Sequence, residues 1–60
     1  MELEVIRLEI NGDADFANAV FKKGKKIISI EISPVQVIDF LSIMDYKEVS
    51  IEDGWTIWTV

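Results

Sequence analysis

The absence of both cysteine and histidine from a chain of 60 residues restricts what can hold its fold together. A domain of this length buries only about 60% of the surface that its unfolded chain exposes, so it is marginally stable without reinforcement. Disulfides need cysteine, and the common structural zinc sites need cysteine or histidine. Oligomerisation is the main reinforcement that remains. We therefore expect one compact domain over residues 1–60 that forms a homo-oligomer, most simply a homodimer.

A helix is the clearest local element, and the sequence predicts it at about residues 34–45. Ser33 is a suitable N-cap, and Pro34 suits the first helical position because its missing N–H would have had no partner there. Gln36 completes an S-x-x-Q capping box.

The two sides of this predicted helix differ in polarity. A broad apolar face is formed by Val37, Ile38, Phe40, Leu41 and Met44. Val35 and Ile43 fall on the polar side, where they are candidate oligomer contacts.

The C-terminal stretch KEVSIEDGWTIWTV alternates with period two around Asp53-Gly54, which predicts a β-hairpin with a type I′ turn. The resulting pairs are Glu52 opposite Trp55, Ile51 opposite Thr56 and Val49 opposite Trp58. One face of the hairpin is then apolar and is predicted to belong to the core: Val49, Ile51, Trp58 and Val60. The other face carries Glu48, Ser50 and Glu52 beside Trp55 and Ile57.

The stretch GDADFANAVFKKGKKIISIEIS fits two structures. A helix would be capped by Asp13 and ended by Gly24. The favoured alternative is a hairpin with Lys22, Lys23 and Gly24 as a three-residue loop. That hairpin would pair Val20 with Lys26, Asn18 with Ile28, Phe16 with Ile30 and Ala14 with Ile32, all on one face, and would turn Ala17 and Ala19 to the other face.

Residues 2–10, ELEVIRLEI, are rich in strand formers, but their alternation slips near Val5, which a β-bulge would explain. The favoured fold class is therefore α+β, with the element order βββαββ and the helix on one face of a small sheet. If residues 13–23 are helical, the order becomes βαβαββ.

Charge is unevenly distributed along the chain. The formal net charge is −5, yet residues 22–26 contain four lysines. The rest of the chain contains eleven acidic residues and only two basic ones, Arg7 and Lys47, so its formal net charge is −9. Such an acidic body favours a protein partner with a basic surface and makes nucleic acid a poor partner. No apolar run reaches the roughly 18 residues of a membrane helix, so no membrane association and a cytoplasmic location are expected.

The sequence lacks the residue types on which enzyme catalysis most often depends. Histidine and cysteine are absent, and no serine has a plausible base beside it. The expectation is a non-enzymatic protein without cofactor, metal or small-molecule substrate. The segment Asn11–Asp15 has two carboxylates at calcium-loop spacing, but it lacks the remaining ligands and is better explained as a polar turn.

Two segments could carry a binding function. Lys22, Lys23, Lys25 and Lys26 could contact phosphate, but they are interpreted mainly as a solvated turn, because only Phe21 offers an aromatic platform beside them. The stronger candidate is a protein-binding surface, because an outward tryptophan within an acidic rim is typical of an interface anchor. Its residues are Trp55, Ile57, Glu48, Ser50, Glu52 and Asp53.

In size and charge the chain is similar to the small inhibitors encoded by bacteriophages and other mobile elements, some of which imitate DNA. The acidic body, the outward Trp55 and Ile57 and the missing catalytic residues, together with this resemblance, favour an inhibitor or modulator of a basic or nucleic-acid-binding protein, and the small size of the chain favours a homodimer. A nucleic-acid-binding protein that uses the four lysines is the first alternative. The second is a structural subunit of a larger assembly, in which Trp55 is buried against a permanent neighbour.

Overall fold

The computed structural model describes residues 3–60 and contains five strands and one helix in the predicted order βββαββ. The strands form one antiparallel sheet in the spatial order β3-β2-β1-β5-β4, so β3 and β4 are its two edges. The elements are β1 (Glu4–Asn11), β2 (Ala17–Lys23), β3 (Lys26–Ile32), α1 (Pro34–Ile43), β4 (Glu48–Glu52) and β5 (Trp55–Thr59).

The β4–β5 hairpin has the predicted turn and register. Asp53 and Gly54 have φ angles of 51° and 81°, the positive values that a type I′ turn requires at both central positions. Glu52 lies opposite Trp55, and Val49 lies opposite Trp58. The prediction is therefore confirmed.

The β2–β3 hairpin exists, but its predicted register is wrong. The loop has two residues, Gly24 and Lys25, because Lys23 pairs with Lys26. Gly24 is the first loop residue and has a φ of 62°, a conformation that costs glycine little.

The shift of register exchanges the faces of β2. Ala17 and Ala19, predicted to point away from the core, are completely buried opposite Ile32 and Ile30. Their small side chains leave room for α1 to approach the sheet closely. Phe16, predicted to pair with a core isoleucine, precedes β2 and is 57% exposed.

The predicted irregularity in β1 is confirmed. The register with β2 shifts between Val5 and Arg7, which leaves Ile6 as the extra residue of a β-bulge. The bulge explains the slip in the alternation, because it lets Val5 and Leu8 share one face although they are three residues apart. The predicted strand start at residue 2 lies outside the described residues.

Helix α1 begins as predicted and ends two residues early. The Gln36 side chain accepts a hydrogen bond of 2.9 Å from the Ser33 N–H, which is one half of the capping box. Met44 has an extended backbone and closes the helix by donating its N–H to the Phe40 carbonyl. Ile38, predicted on the apolar face, is 67% exposed, because it lies about 100° around the helix from the buried Val37.

The two faces of the sheet differ in whether they carry the buried hydrophobic cluster. Val37 of α1 belongs to one buried cluster with Leu8, Ala17 and Ala19, and the face that carries these strand residues is called the core face. The opposite face is called the open face. Helix α1 contacts β1 and β2.

The core face is less covered than predicted at its β4 edge. On the edge strand β4, Val49 is 48% exposed and Ile51 is 75% exposed. Trp58 of β5 does pack against the buried cluster. The hairpin face predicted to lie in the core is thus covered at Trp58 but not at the sheet edge.

Candidate functional site

Trp55 lies on the open face between two polar neighbours. It is directly opposite Glu52 on β4 and directly opposite Asn11 on β1. Because side chains alternate along a strand, Trp55 shares this face with Ile57, and Glu52 shares it with Ser50 and Glu48. The structure therefore brings the predicted surface residues together.

A shallow depression of about 300 Å³ lies beside the tryptophan. It is lined by Glu9, Asn18, Glu52, Asp53, Trp55 and Ile57. Three of these six residues carry carboxylates, and none is basic. The depression thus combines an aromatic ring with negative charge, a combination that suits a cationic group.

The structure differs from the sequence interpretation at Ile57. This side chain was expected to be displayed beside Trp55, but it is only 8% exposed. Ile57 lies opposite Ser50 on one side and opposite Glu9 on the other. It therefore forms the floor of the depression, whereas Trp55 remains half-buried at its side.

An ion pair on β1 supports the wall of the depression. Arg7 Nε lies 3.1 Å from Glu9 Oε2, and the side chain of Glu9 is 19% exposed. Asn18 Nδ2 donates a long hydrogen bond of 3.5 Å to Glu9 Oε1. Glu9 is thus held in place and partly neutralised, so the uncompensated charge of the depression belongs mainly to Glu52 and Asp53.

Two turns lie side by side at this end of the sheet. A Cβ added to Gly12 would be 3.1 Å from the Gly54 carbonyl oxygen, so the β1–β2 and β4–β5 connections nearly touch. The first connection is ordered by Asn11, whose Oδ1 accepts hydrogen bonds of 2.8 and 3.1 Å from the N–H groups of Asp15 and Phe16. Asp13 and Asp15 are exposed here and add carboxylates to the same end of the molecule.

Sequence reasoning missed Glu9 and Asn18, and it predicted a polar turn at Asn11–Asp15 without placing that turn beside the C-terminal hairpin. The missing information was the order of the strands, because β1 approaches the C-terminal hairpin through its pairing with β5. No local pattern specifies that pairing.

The four lysines lie at the opposite end of the sheet. Strand β1 runs from Glu4, opposite Lys22, to Asn11, opposite Trp55. The lysine-containing tip and the acidic turns are therefore separated by the length of a strand, about 25 Å for eight residues. An open concavity of about 1000 Å³ at the tip is lined by Glu4, Lys22, Lys23, Gly24, Lys25, Lys26 and Ile28.

The two candidate oligomer contacts on α1 are accessible. Val35 is 65% exposed and Ile43 is 81% exposed. Within residues 3–60, no helix is long and apolar enough to cross a membrane, and no three acidic side chains are grouped as a metal site would require. Comparison of the chain with protein-family models, curated proteins and solved structures finds no match.

Proposed function

We propose that this chain is a small, non-enzymatic, cytoplasmic protein-binding module that inhibits or modulates a basic or nucleic-acid-binding protein and acts as a homodimer. The observation that carries the proposal is the depression beside Trp55, whose lining has three carboxylates and no basic residue. A basic partner meets both an aromatic surface and opposite charge at this position.

The binding mode that fits the depression is insertion of one arginine or lysine side chain from the partner. A guanidinium stacked on the indole of Trp55 gains a cation–π interaction. The same group can pair with the carboxylate of Glu52, which lies directly opposite Trp55, or with that of Asp53 in the turn. Arginine suits this arrangement better than lysine because its planar group stacks and forms two parallel hydrogen bonds.

The charged residues outside the depression attract and orient a basic partner before it makes contact. Glu48 and the acidic turns extend the negative surface beyond the depression, whereas the lysines lie at the far end of the sheet. This separation orients an approaching basic surface towards the acidic end and raises the association rate. The same carboxylates compete with phosphate groups for basic side chains, which supports the resemblance to inhibitors that imitate DNA.

Titration with a short arginine-rich peptide, followed by calorimetry, tests this function. Trp55→Ala should weaken binding at least about tenfold, because it removes the aromatic anchor. Glu52→Gln should weaken binding and reduce its dependence on salt. Asp39→Asn is the control: it removes the same charge from the exposed side of α1 and should change little. Equal losses for Glu52→Gln and Asp39→Asn would show only a general attraction to the acidic chain.

A second candidate function has one specific observation in its favour. All four lysines of residues 22–26 line a single concavity, which could hold a phosphate backbone. Binding of a single-stranded oligonucleotide that weakens steeply with salt and is lost when Lys25 and Lys26 become Gln would favour this alternative.

A further inference from the structure

The edge strand β3 exposes apolar side chains on both faces of the sheet. Ile27 on the open face is 61% exposed, and Ile30 on the core face is 46% exposed. Helix α1 contacts β1 and β2, and no other strand within residues 3–60 pairs with the outer edge of β3. Alternate residues of an antiparallel edge strand direct their N–H and C=O groups outward. Strand β3 therefore presents unpaired backbone groups beside exposed isoleucines, the combination that favours pairing with another strand.

The core of a single copy is small. Among the described residues, Leu8 and Val37 are the largest side chains that are fully buried. Four of the six buried hydrophobic residues belong to one cluster, and two of those four are alanines. A chain of this size without disulfide or metal gains most from an additional interface.

Charge distinguishes the two edges as sites for a second copy. If β4 paired antiparallel with itself around Ser50, Glu48 would lie directly opposite Glu52 of the second copy, twice in each dimer. Like charges directly opposite each other destabilise a strand pair. The edge strand β4 is thus protected against self-association by its own glutamates.

The edge strand β3 has no such conflict. A two-fold axis perpendicular to the sheet keeps equivalent faces together, so an antiparallel pair centred on Ser29 sets Ile28 opposite Ile30 of the second copy on the core face. On the open face, Ile27 lies opposite Glu31 of the second copy. No two like charges are opposed.

This register also places opposite charges near each other. Lys25 is a diagonal neighbour of Glu31 of the second copy on the open face, at about 7–8 Å between the backbones, within reach of a lysine side chain. Because the strands are antiparallel, the basic end of each copy approaches the C-terminal end of the other β3. The lysines of the two copies are kept apart.

We propose that two copies of this chain pair through their β3 strands, antiparallel and centred on Ser29, to form a continuous ten-stranded sheet. The inference rests on the homodimer included in the proposed function and identifies its interface. The two Trp55 surfaces then lie at the outer regions of the assembly, three strands away from the β3 edge within each copy. Dimer formation leaves both of them free for a partner.

Sedimentation equilibrium over a range of concentrations tests the pairing. The wild-type chain should reach twice the monomer mass and no more, because a two-fold interface closes. Ile27→Glu should raise the dimer dissociation constant about tenfold or more, since it opposes Glu31 twice in each dimer. Ile27→Lys should retain the dimer, because the new charge lies opposite Glu31. The double variant Ile27→Glu with Glu31→Lys should restore dimerisation.

The controls are Ile51→Glu on β4 and Ile43→Glu on α1, both highly exposed in one copy. The dimer should survive both substitutions. Dissociation by Ile51→Glu or Ile43→Glu but not by Ile27→Glu would overturn the proposal, as would a monomer up to about 1 mM. Growth beyond the dimer would point instead to pairing of β3 with β4 and would also overturn it. Circular dichroism of each variant separates dissociation from unfolding.

The proposed dimer interface and the proposed peptide binding can fail separately. A monomer that still binds the arginine-rich peptide through Trp55 contradicts the interface alone. A dimer that does not bind the peptide contradicts the proposed function alone.

Discussion

Glu52 and Trp55 lie directly opposite each other across the β4–β5 hairpin, on the face of the sheet that does not carry the Leu8 cluster. The type I′ turn at Asp53 and Gly54 fixes this pair, because a two-residue loop allows only one register. The pairing of β5 with β1 then adds Glu9, and the pairing of β1 with β2 adds Asn18 to complete the depression.

The two tryptophans should respond differently to truncation. Trp58 lies opposite Leu8 and packs against the buried cluster, so Trp58→Ala should cost about 3–5 kcal/mol in the free energy of unfolding. Trp55 is half-buried on the open face, so Trp55→Ala should cost about 1 kcal/mol or less. Urea unfolding of both variants measures the difference. Comparable losses would show that Trp55 is part of the structural core.

The turn between β4 and β5 should depend on Gly54. Its φ of 81° is unfavourable for any residue with a side chain, so Gly54→Ala should destabilise the fold by about 1 kcal/mol or more. Asp53→Asn is the matched control, because asparagine tolerates the φ of 51° at that position. Thermal unfolding should therefore show a lower Tm for the first variant only. An unchanged Tm for Gly54→Ala would argue against the type I′ turn.

The register of β2 can be tested with one substitution on each face. Ala19 is fully buried, so Ala19→Leu should overpack the core face and destabilise the fold by about 1–3 kcal/mol. Asn18 lies on the open face opposite Glu9, so Asn18→Leu should cost less. Denaturant unfolding compares the two. The reverse order of stabilities would support the register with a three-residue loop.

The packing of α1 on the sheet depends on Val37. This side chain is 1% exposed and lies in the cluster with Leu8, so Val37→Ala should destabilise the fold by roughly 1–3 kcal/mol. Val35 is 65% exposed on the same helix, so Val35→Ala provides a control with the same chemical change and should cost little. If both substitutions had the same small effect in calorimetry, α1 would not be anchored through Val37.

The elements of this fold were predictable where local chemistry decides them. Ser33, Pro34 and Gln36 specify the start of α1, and Asp53-Gly54 specifies the last hairpin. The bulge was visible because the alternation of apolar residues around Val5 slips by one position.

The register of β2–β3 was not predictable from the same signals. Gly24 suits either a two-residue or a three-residue loop, and both alternatives place apolar residues on one face. The choice is made by packing, since only the observed register places the small side chains of Ala17 and Ala19 in the cluster with Val37. The exposure of Ile51 has a similar cause: a single helix of ten residues does not cover a five-stranded sheet.

The candidate site was also predictable only where local chemistry decides it. The hairpin residues around Trp55 follow from the turn alone, whereas Glu9 joins them only through the pairing of β1 with β5. The burial of Ile57 also depends on that pairing, because an isolated hairpin would leave this side chain exposed.

The most direct test of the central claim is an NMR titration of the isotope-labelled protein with a short arginine-rich peptide, observing the two indole N–H signals. Trp58 is the internal control, because it lies on the core face of the same strand. The account predicts that the Trp55 indole signal shifts together with the backbone signals of Glu9 and Glu52, while the Trp58 indole signal stays in place. A titration that shifts other acidic residues and leaves the Trp55 indole unchanged would contradict it.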